Sequence, residues 1–183
     1  MNTTTIRGRV WVLLDKAGRP IEDIDTDQIF HNAHLHITEP ALMGPLALGN
    51  LEGWKDFPQK TQPGDIVVAG RNFGAGSSRQ QAVDCFIALK TASILAPSFS
   101  AIYFRNAVNS GFPVLNLPGL DRLLAENKLV TGDVVRVDFK SGKGENLTRT
   151  TEFALDPMSG VQYDIYRAGN LFRYEKTAGL KKD

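Results

Sequence analysis

An apolar run, Asp65-Ile66-Val67-Val68-Ala69, leads through Gly70-Arg71-Asn72-Phe73-Gly74-Ala75-Gly76-Ser77-Ser78-Arg79 into a helical pattern that starts near Ser78. A buried strand entering a helix through closely spaced glycines leaves few architectures open. Such a turn points several backbone N–H groups at one spot, where the helix dipole favours negative charge. The backbone of Gly74, Ala75 and Gly76 is therefore a candidate anion or oxyanion pocket. Ser77, Ser78 and the Arg79 guanidinium stand on the same turn, so it carries groups able to grip a carboxylate or phosphate and to move a proton.

The flanking sequence predicts an α/β fold. Ile6 to Leu14 begins with alternation and ends apolar, as a strand does that becomes buried. Ser78 to Thr91 reads as a helix with Ala82, Val83, Phe86, Ile87 and Leu89 available for burial, and Ser93-Ile94-Leu95-Ala96 as a strand stopped by Pro97. Phe99 to Ser110 is helical in period with Gly111 at the C-cap position, and Phe112-Pro113-Val114-Leu115 is a further buried strand. Strand, helix, strand, helix, strand in succession argues for βαβ units. Leu120 to Leu129 reads as a short helix. Asp133 to Phe139, a turn over Ser141 to Gly144 and a strand near Leu147 to Phe153 make a hairpin. Pro157 to Ala168 is a last amphipathic helix closed by Gly169, with Leu171, Phe172 and Tyr174 returning to the core and a flexible Lys-rich tail over 175–183. The stretch 37–62, rich in proline and glycine, reads as a long loop with one helical turn, and so as a lid, binding loop or insertion on the substrate side. A length of 183 residues suits one domain spanning 1–183.

Composition narrows the partners. Lys and Arg total 21 against 20 Asp and Glu, so no basic footprint marks a nucleic-acid or polybasic membrane protein. No apolar run approaches the roughly 18–20 residues that span a bilayer, and the N-terminal residues show no apolar signal region, so a cytoplasmic location is expected. The single cysteine, Cys85, falls in a helical pattern as a small core residue. Alone it can neither form an internal disulfide nor hold a metal cluster, so iron–sulfur or thiolate-zinc chemistry would have to come from another chain.

Known phosphate and nucleophile motifs do not fit the glycine turn. A Walker loop needs lysine directly after its last glycine, where Ser77 stands, and a dinucleotide fingerprint needs glycine or alanine at Arg79. A nucleophile elbow needs glycine on both sides of the serine, but Ser78 is followed at that distance by Gln80, and Ser77 is flanked by Ala75 and Arg79. A tight turn whose serine caps the helix competes with these functional readings. Asp25-Thr26-Asp27 puts two carboxylates on one face if extended, or forms an Asx-type turn. His31, His34 and His36 are the only histidines. On a strand, His34 and His36 share a face and raise a metal site as an alternative, although no acidic residue falls at a helical ligand spacing.

Together these segments resemble the small subunit of isopropylmalate dehydratase and homoaconitase, the stand-alone version of the aconitase swivel domain. The matching pieces are Asp25-Thr26-Asp27-Gln28-Ile29, Gly70 to Ala82 with Asn72-Phe73-Gly74 and Gly76-Ser77-Ser78-Arg79, and Ser98-Phe99 through Arg105-Asn106, Asn109, Gly111 and Pro113-Val114-Leu115. Ala168-Gly169-Asn170-Leu171 resembles the family's C-terminal end. The resemblance implies a swivelling β/β/α domain like aconitase domain 4, with mixed parallel and antiparallel strands. It also implies a hydro-lyase that isomerises a hydroxy di- or tricarboxylate by dehydration and rehydration. The iron–sulfur cluster would lie on an aconitase-like large subunit, in a heterodimer or heterotetramer, as a Lewis acid toward the leaving hydroxyl, and this chain would bind no cofactor or metal itself. By the motif match Ser77 is the catalytic base, Asp27 an active-site acid, Arg79 the bidentate carboxylate clamp and Ser78 a substrate contact. The sequence departs from the family at Ala75, where cysteine is usual, and in Phe30-His31-Asn32-Ala33-His34-Leu35-His36. There a family arginine is replaced by Ala33, and histidines occupy the positions that select the substrate. His34 and His36 are accordingly expected to contact substrate. A swivel module of this fold that binds without turning over is the competing reading.

Overall fold

The computed structural model describes residues 3–179. One seven-stranded sheet organises them. Its strands are β1 (Thr5–Val12), β2 (Ile66–Val68), β3 (Ser93–Ala96), β4 (Val114–Asn116), β5 (Val134–Asp138), β6 (Lys143–Asn146) and β7 (Thr151–Ala154), ordered β4-β3-β2-β1-β5-β6-β7. β1 to β4 run parallel and β1-β5-β6-β7 antiparallel, the mixed architecture expected. β1 divides its length between the two halves: Thr5 to Arg9 pair with β5, and Val10 to Val12 with β2. Gly8 lies just before the exchange, where a Cβ would stand 2.1 Å from the Gly64 carbonyl oxygen, so a side chain there would push the start of β2 away.

The helices are α1 (Thr26–Ile29), α2 (Pro40–Met43), α3 (Phe57–Lys60), α4 (Gln81–Ala88), α5 (Ala101–Asn109), α6 (Leu120–Ala125), α7 (Gly160–Ala168) and α8 (Leu171–Gly179). Strand alternation gives the sheet two apolar faces. Val67, Ala69, Ile94, Ala96 and Val114 join a cluster with Ala82, Val83, Cys85 and Phe86 of α4 and Tyr103 and Ala107 of α5. Ile66, Val68, Leu95, Leu115, Val135, Val137 and Phe139 face the other way, against Leu120 of α6 and Tyr163 and Tyr166 of α7. The βαβ units place the turns after β2 and β3 side by side at the carboxyl end of the parallel strands, where open α/β sheets build their sites.

Four local expectations change. The stretch 37–62 is not a loose loop: α2, a 3-10 turn at Gly44–Leu46 and α3 bury Met43, Ala47, Leu48, Leu51 and Phe57 in the first cluster. The helix expected from Ser78 begins only at Gln81, because Ser77 and Arg79 are held by contacts to α1 described below, and its Ile87 is 40% exposed. The single strand expected near 147–153 is two, β6 and β7. The Asn146 carboxamide oxygen accepts from the amides of Thr148 and Arg149 and turns the chain between them. The chain is helical through Gly179, so 175–179 are no loose tail, and Phe172 is 76% exposed rather than in the core. Residues 180–183 of that expected tail lie outside the described residues.

Two buried carboxylates lock the starts of the central strands β2 and β5. The Arg9 guanidinium and Trp11 indole N–H each donate to Asp65 at 2.7 Å, and the Gln62 amide donates at 2.9 Å. Burial alone would push the Asp65 carboxyl up, but these donors hold it below the usual range. Asp133 accepts from Arg149 Nε at 2.7 Å, from the Asn146 side chain at 2.8 Å and from the Val130 amide at 2.9 Å. Removing the carboxylate strands those donors, so Asp133→Ala is expected to lower unfolding free energy in a urea titration by about 2–3 kcal/mol.

Candidate active site

The turn after β2 is shaped from behind. Gly74 has φ +79°, and a Cβ there would meet Tyr103 Cγ at 2.2 Å, so the α5 ring occupies the space a side chain would need. The Ser100 hydroxyl, which caps α5, donates to the Gly74 carbonyl. Phe73 bridges to Phe99 after β3, its amide donating to Ser98 at 3.1 Å, and Asn72 donates to Asp23 at 2.8 Å. Gly76, at φ +86°, swings the chain outward, leaving Ser77 and Ser78 exposed.

The segment before α1 grips the turn from the front. Asp25 pairs with Ala75 in a short parallel bridge, and its side chain caps α1 in a reciprocal box with Gln28. The Thr26 amide donates to Ala75 O at 2.9 Å, and the buried Thr26 hydroxyl donates to Ser77 O at 3.1 Å. Arg79 Nη1 donates to Asp27 Oδ1 at 2.7 Å and to Phe30 O at 3.1 Å. Asp27 thus lies in the first turn of α1 rather than on an extended face.

The proposed roles redistribute accordingly. The amides of Gly74 and Ala75, expected to face an oxyanion, both donate to Ile24 O, at 2.8 and 3.2 Å, and hold the turn instead. The amides of Gly76, Ser77, Ser78 and Arg79 make no hydrogen bond among the described residues. These four precede a helix start that no side chain caps, a run of donors of the kind that suits an anion. The Ser77 hydroxyl is likewise unbonded among the described residues, and the Ser78 hydroxyl accepts a long 3.4 Å bond from Asn106. Arg79 is 14% exposed, and with Nη1 committed, its Nε and Nη2 make no hydrogen bond among the described residues. Those two nitrogens share one edge of the planar guanidinium, the edge that fits a carboxylate bidentately.

Asp27 is hydrogen-bonded at both carboxylate oxygens. Its Oδ1 also accepts from the Asn32 amide at 2.9 Å and its Oδ2 from Asn50 Nδ2 at 3.0 Å. Above all the Arg79 contact holds its carboxyl below the usual range, which favours the ionised form. Sequence reasoning missed Asn50, whose stretch read as loop, and the Thr26 hydroxyl. The proximity of Asn50 to Asp27 follows only from the packing of 43–51.

None of the histidines lies on a strand: His34 ends a 3-10 turn, Asn32–His34, His31 is its N-cap and His36 follows it. His31 Nδ1 accepts from the Ala33 amide, the His34 ring sits 6.2 Å from Phe30 and 6.1 Å from His31, and His36 is exposed beyond them. Among the described residues no three of His, Cys, Asp and Glu gather in a metal-binding group. Cys85 is buried in the core, where burial pushes its thiol far up, so this chain's residues do not fit an iron–sulfur cluster.

Two measurements test this geometry. Gly74→Ala is expected to cost about 2–5 kcal/mol in chemical denaturation, from the ring clash and the left-handed backbone together. In an NMR titration, Arg79→Ala should raise the Asp27 pKa toward its ordinary value. Because the folded pKa is depressed, this contact adds stability above the ordinary carboxylate range. That stability should fade as pH falls through the native pKa in the parent chain, and be missing in the variant.

Comparisons with known proteins bear on the fold and the family. Residues 51–119, which carry the turn, match the Aconitase C-terminal domain. The chain is 41% identical over 176 residues to the 3-isopropylmalate dehydratase small subunit of Pyrobaculum aerophilum, covering 94% of this chain and 98% of that one. It is 38% identical to the protein of the same name from Caldicellulosiruptor saccharolyticus, with 92% of each covered. The crystal structure of a 3-isopropylmalate dehydratase from Methanocaldococcus jannaschii superposes with a TM-score of 0.83 at 28% identity, covering 97% of both chains. Fold, turn and near full-length identity together show that the chain belongs to the 3-isopropylmalate dehydratase small-subunit family.

Proposed function

We propose that this chain is the small subunit of a 3-isopropylmalate dehydratase, a hydro-lyase of leucine biosynthesis within the branched-chain amino-acid routes, and that it supplies the base and the carboxylate clamp. The observation that carries this reading is the exposed Ser77 hydroxyl on a run of amides, followed two residues later by the Nε and Nη2 edge of Arg79, all without hydrogen bonds among the described residues. The relatives' shared name favours isopropylmalate over homoaconitate, citramalate or dimethylmalate.

Arg79 binds a substrate carboxylate, and Ser77 removes the proton on the carbon next to a carboxylate. The electron pair left behind forms the double bond as hydroxide departs from the neighbouring carbon. Re-addition of water at the other carbon completes the isomerisation. A serine hydroxyl is far too weak an acid to ionise unaided, so the amides from Gly76 to Arg79 and the Arg79 charge stabilise the alkoxide. Ser78 holds substrate or supports Ser77, and His34 and His36 face the variable group of the substrate. Since this chain has no cluster-binding residues, the iron–sulfur cluster belongs to an aconitase-like large subunit, where it would supply Lewis acidity toward the departing hydroxyl.

Co-expression with candidate large subunits, followed by size-exclusion chromatography and an anaerobic assay across the four substrates, tests the pairing. In the assembled enzyme Ser77→Ala is expected to lower kcat by about 100-fold or more while leaving KM and assembly nearly unchanged. Full activity would remove Ser77 as the base and leave a binding module.

A further inference from the structure

The Arg79–Asp27 pair depends on a third residue outside both motifs. Asp27 is 33% exposed, and the rotation of its carboxylate about the last side-chain bond is intrinsically broad, so contacts to one oxygen do not fix its plane. Arg79 and the Asn32 amide both bond Oδ1. Among the described residues only Asn50 bonds Oδ2, a contact that opposes rotation of the carboxylate, while Phe30 O holds Arg79 through Nη1 alone.

Asn50 is held for this task by its own backbone. Leu48, a non-glycine residue in the left-handed region at φ +58°, is fully buried, and its amide donates to Ile29 O at the end of α1 at 2.8 Å. The Gly49 and Leu51 amides close back onto Leu46 O and Leu48 O at 3.1 and 3.0 Å, and the Leu51 side chain is buried. A strained backbone kept in place by burial, with its next polar side chain aimed at an active-site carboxylate, points to function.

We propose that Asn50 is a positioning residue for substrate-carboxylate binding. Through Asp27 Oδ2 it sets the angle at which Arg79 presents its Nε and Nη2 edge. This rests on the reading of Arg79 as the carboxylate clamp. The groups facing Asp27 are Arg79 from the turn and His31 from the segment after α1, both of which favour its ionised form, with Asn32 and Asn50 as neutral donors.

The test uses the enzyme assembled with its iron–sulfur large subunit and 3-isopropylmalate as substrate. Asn50→Ala should raise KM by about three- to tenfold, the size of one lost hydrogen bond to a charged group, while kcat stays within about twofold. Asn50→Asp keeps the shape but sets a carboxylate against Asp27 Oδ2, so its KM should rise further than that of Asn50→Ala. A residue that only packed would show the reverse order. Unchanged KM in Asn50→Ala, or an Asp variant milder than the Ala variant, would overturn the proposal. So would kcat losses that track the loss of thermal stability. Arg79→Ala separates the two levels. If it raises KM strongly while the Asn50 variants do not, only the positioning role fails. If it leaves KM unchanged, the clamp reading fails as well.

Discussion

The grip of α1 on the glycine turn is the constraint on which the site depends. Thr26 bonds two main-chain oxygens of the turn, those of Ala75 and Ser77, and Asp27 takes the arginine two residues further on. On the far side Tyr103 and Ser100 bear on Gly74. A strand-to-helix junction would ordinarily continue into its helix from the serines. Held from both sides, this one delays the helix to Gln81 and leaves four amides and a hydroxyl without partners among the described residues. Local secondary structure has been given up to keep reactive groups available, a conflict expected at functional sites.

The sheet explains why such a grip can be built. Because β1 is antiparallel to β5 and parallel to β2, it carries the chain from the hairpin side of the sheet to the βαβ side. The segment that leaves its carboxyl end contains α1, and the turns after β2 and β3 emerge beside it. Parallel order makes three sequence-distant segments neighbours at one end of the sheet.

How much of this was legible in the sequence varied with the kind of signal. Short-period apolar patterns such as Ile66-Val67-Val68 and Ser93 to Ala96 announced the parallel strands, and Gly74 with Gly76 announced the turn. Ser77 and Arg79 were visible because their residue types stand beside those glycines. The partition of the amides was not visible: whether an N–H faces solvent or Ile24 O depends on a segment some 50 residues earlier. The packing of 37–62 was hidden for a related reason. Its prolines begin short helices at the first positions of α2 and α3 instead of breaking structure, and its buried side chains follow no single period. Asn50 lay inside that stretch, so no local pattern could single it out.

The clamp acts mostly on main-chain atoms. Ala75 O, Ser77 O and Phe30 O are its acceptors, and each keeps its place whatever side chain the residue bears. Alanine at position 75 is therefore compatible with the geometry of the turn. The Asn32–His34 turn is attached in the same way, through the Asn32 amide to Asp27, with its imidazoles left on the outside. The side chains of that turn can therefore be exchanged in a combinatorial library without disturbing the main-chain bonds that hold the Ser77 segment, so its surface can vary while its scaffold stays fixed.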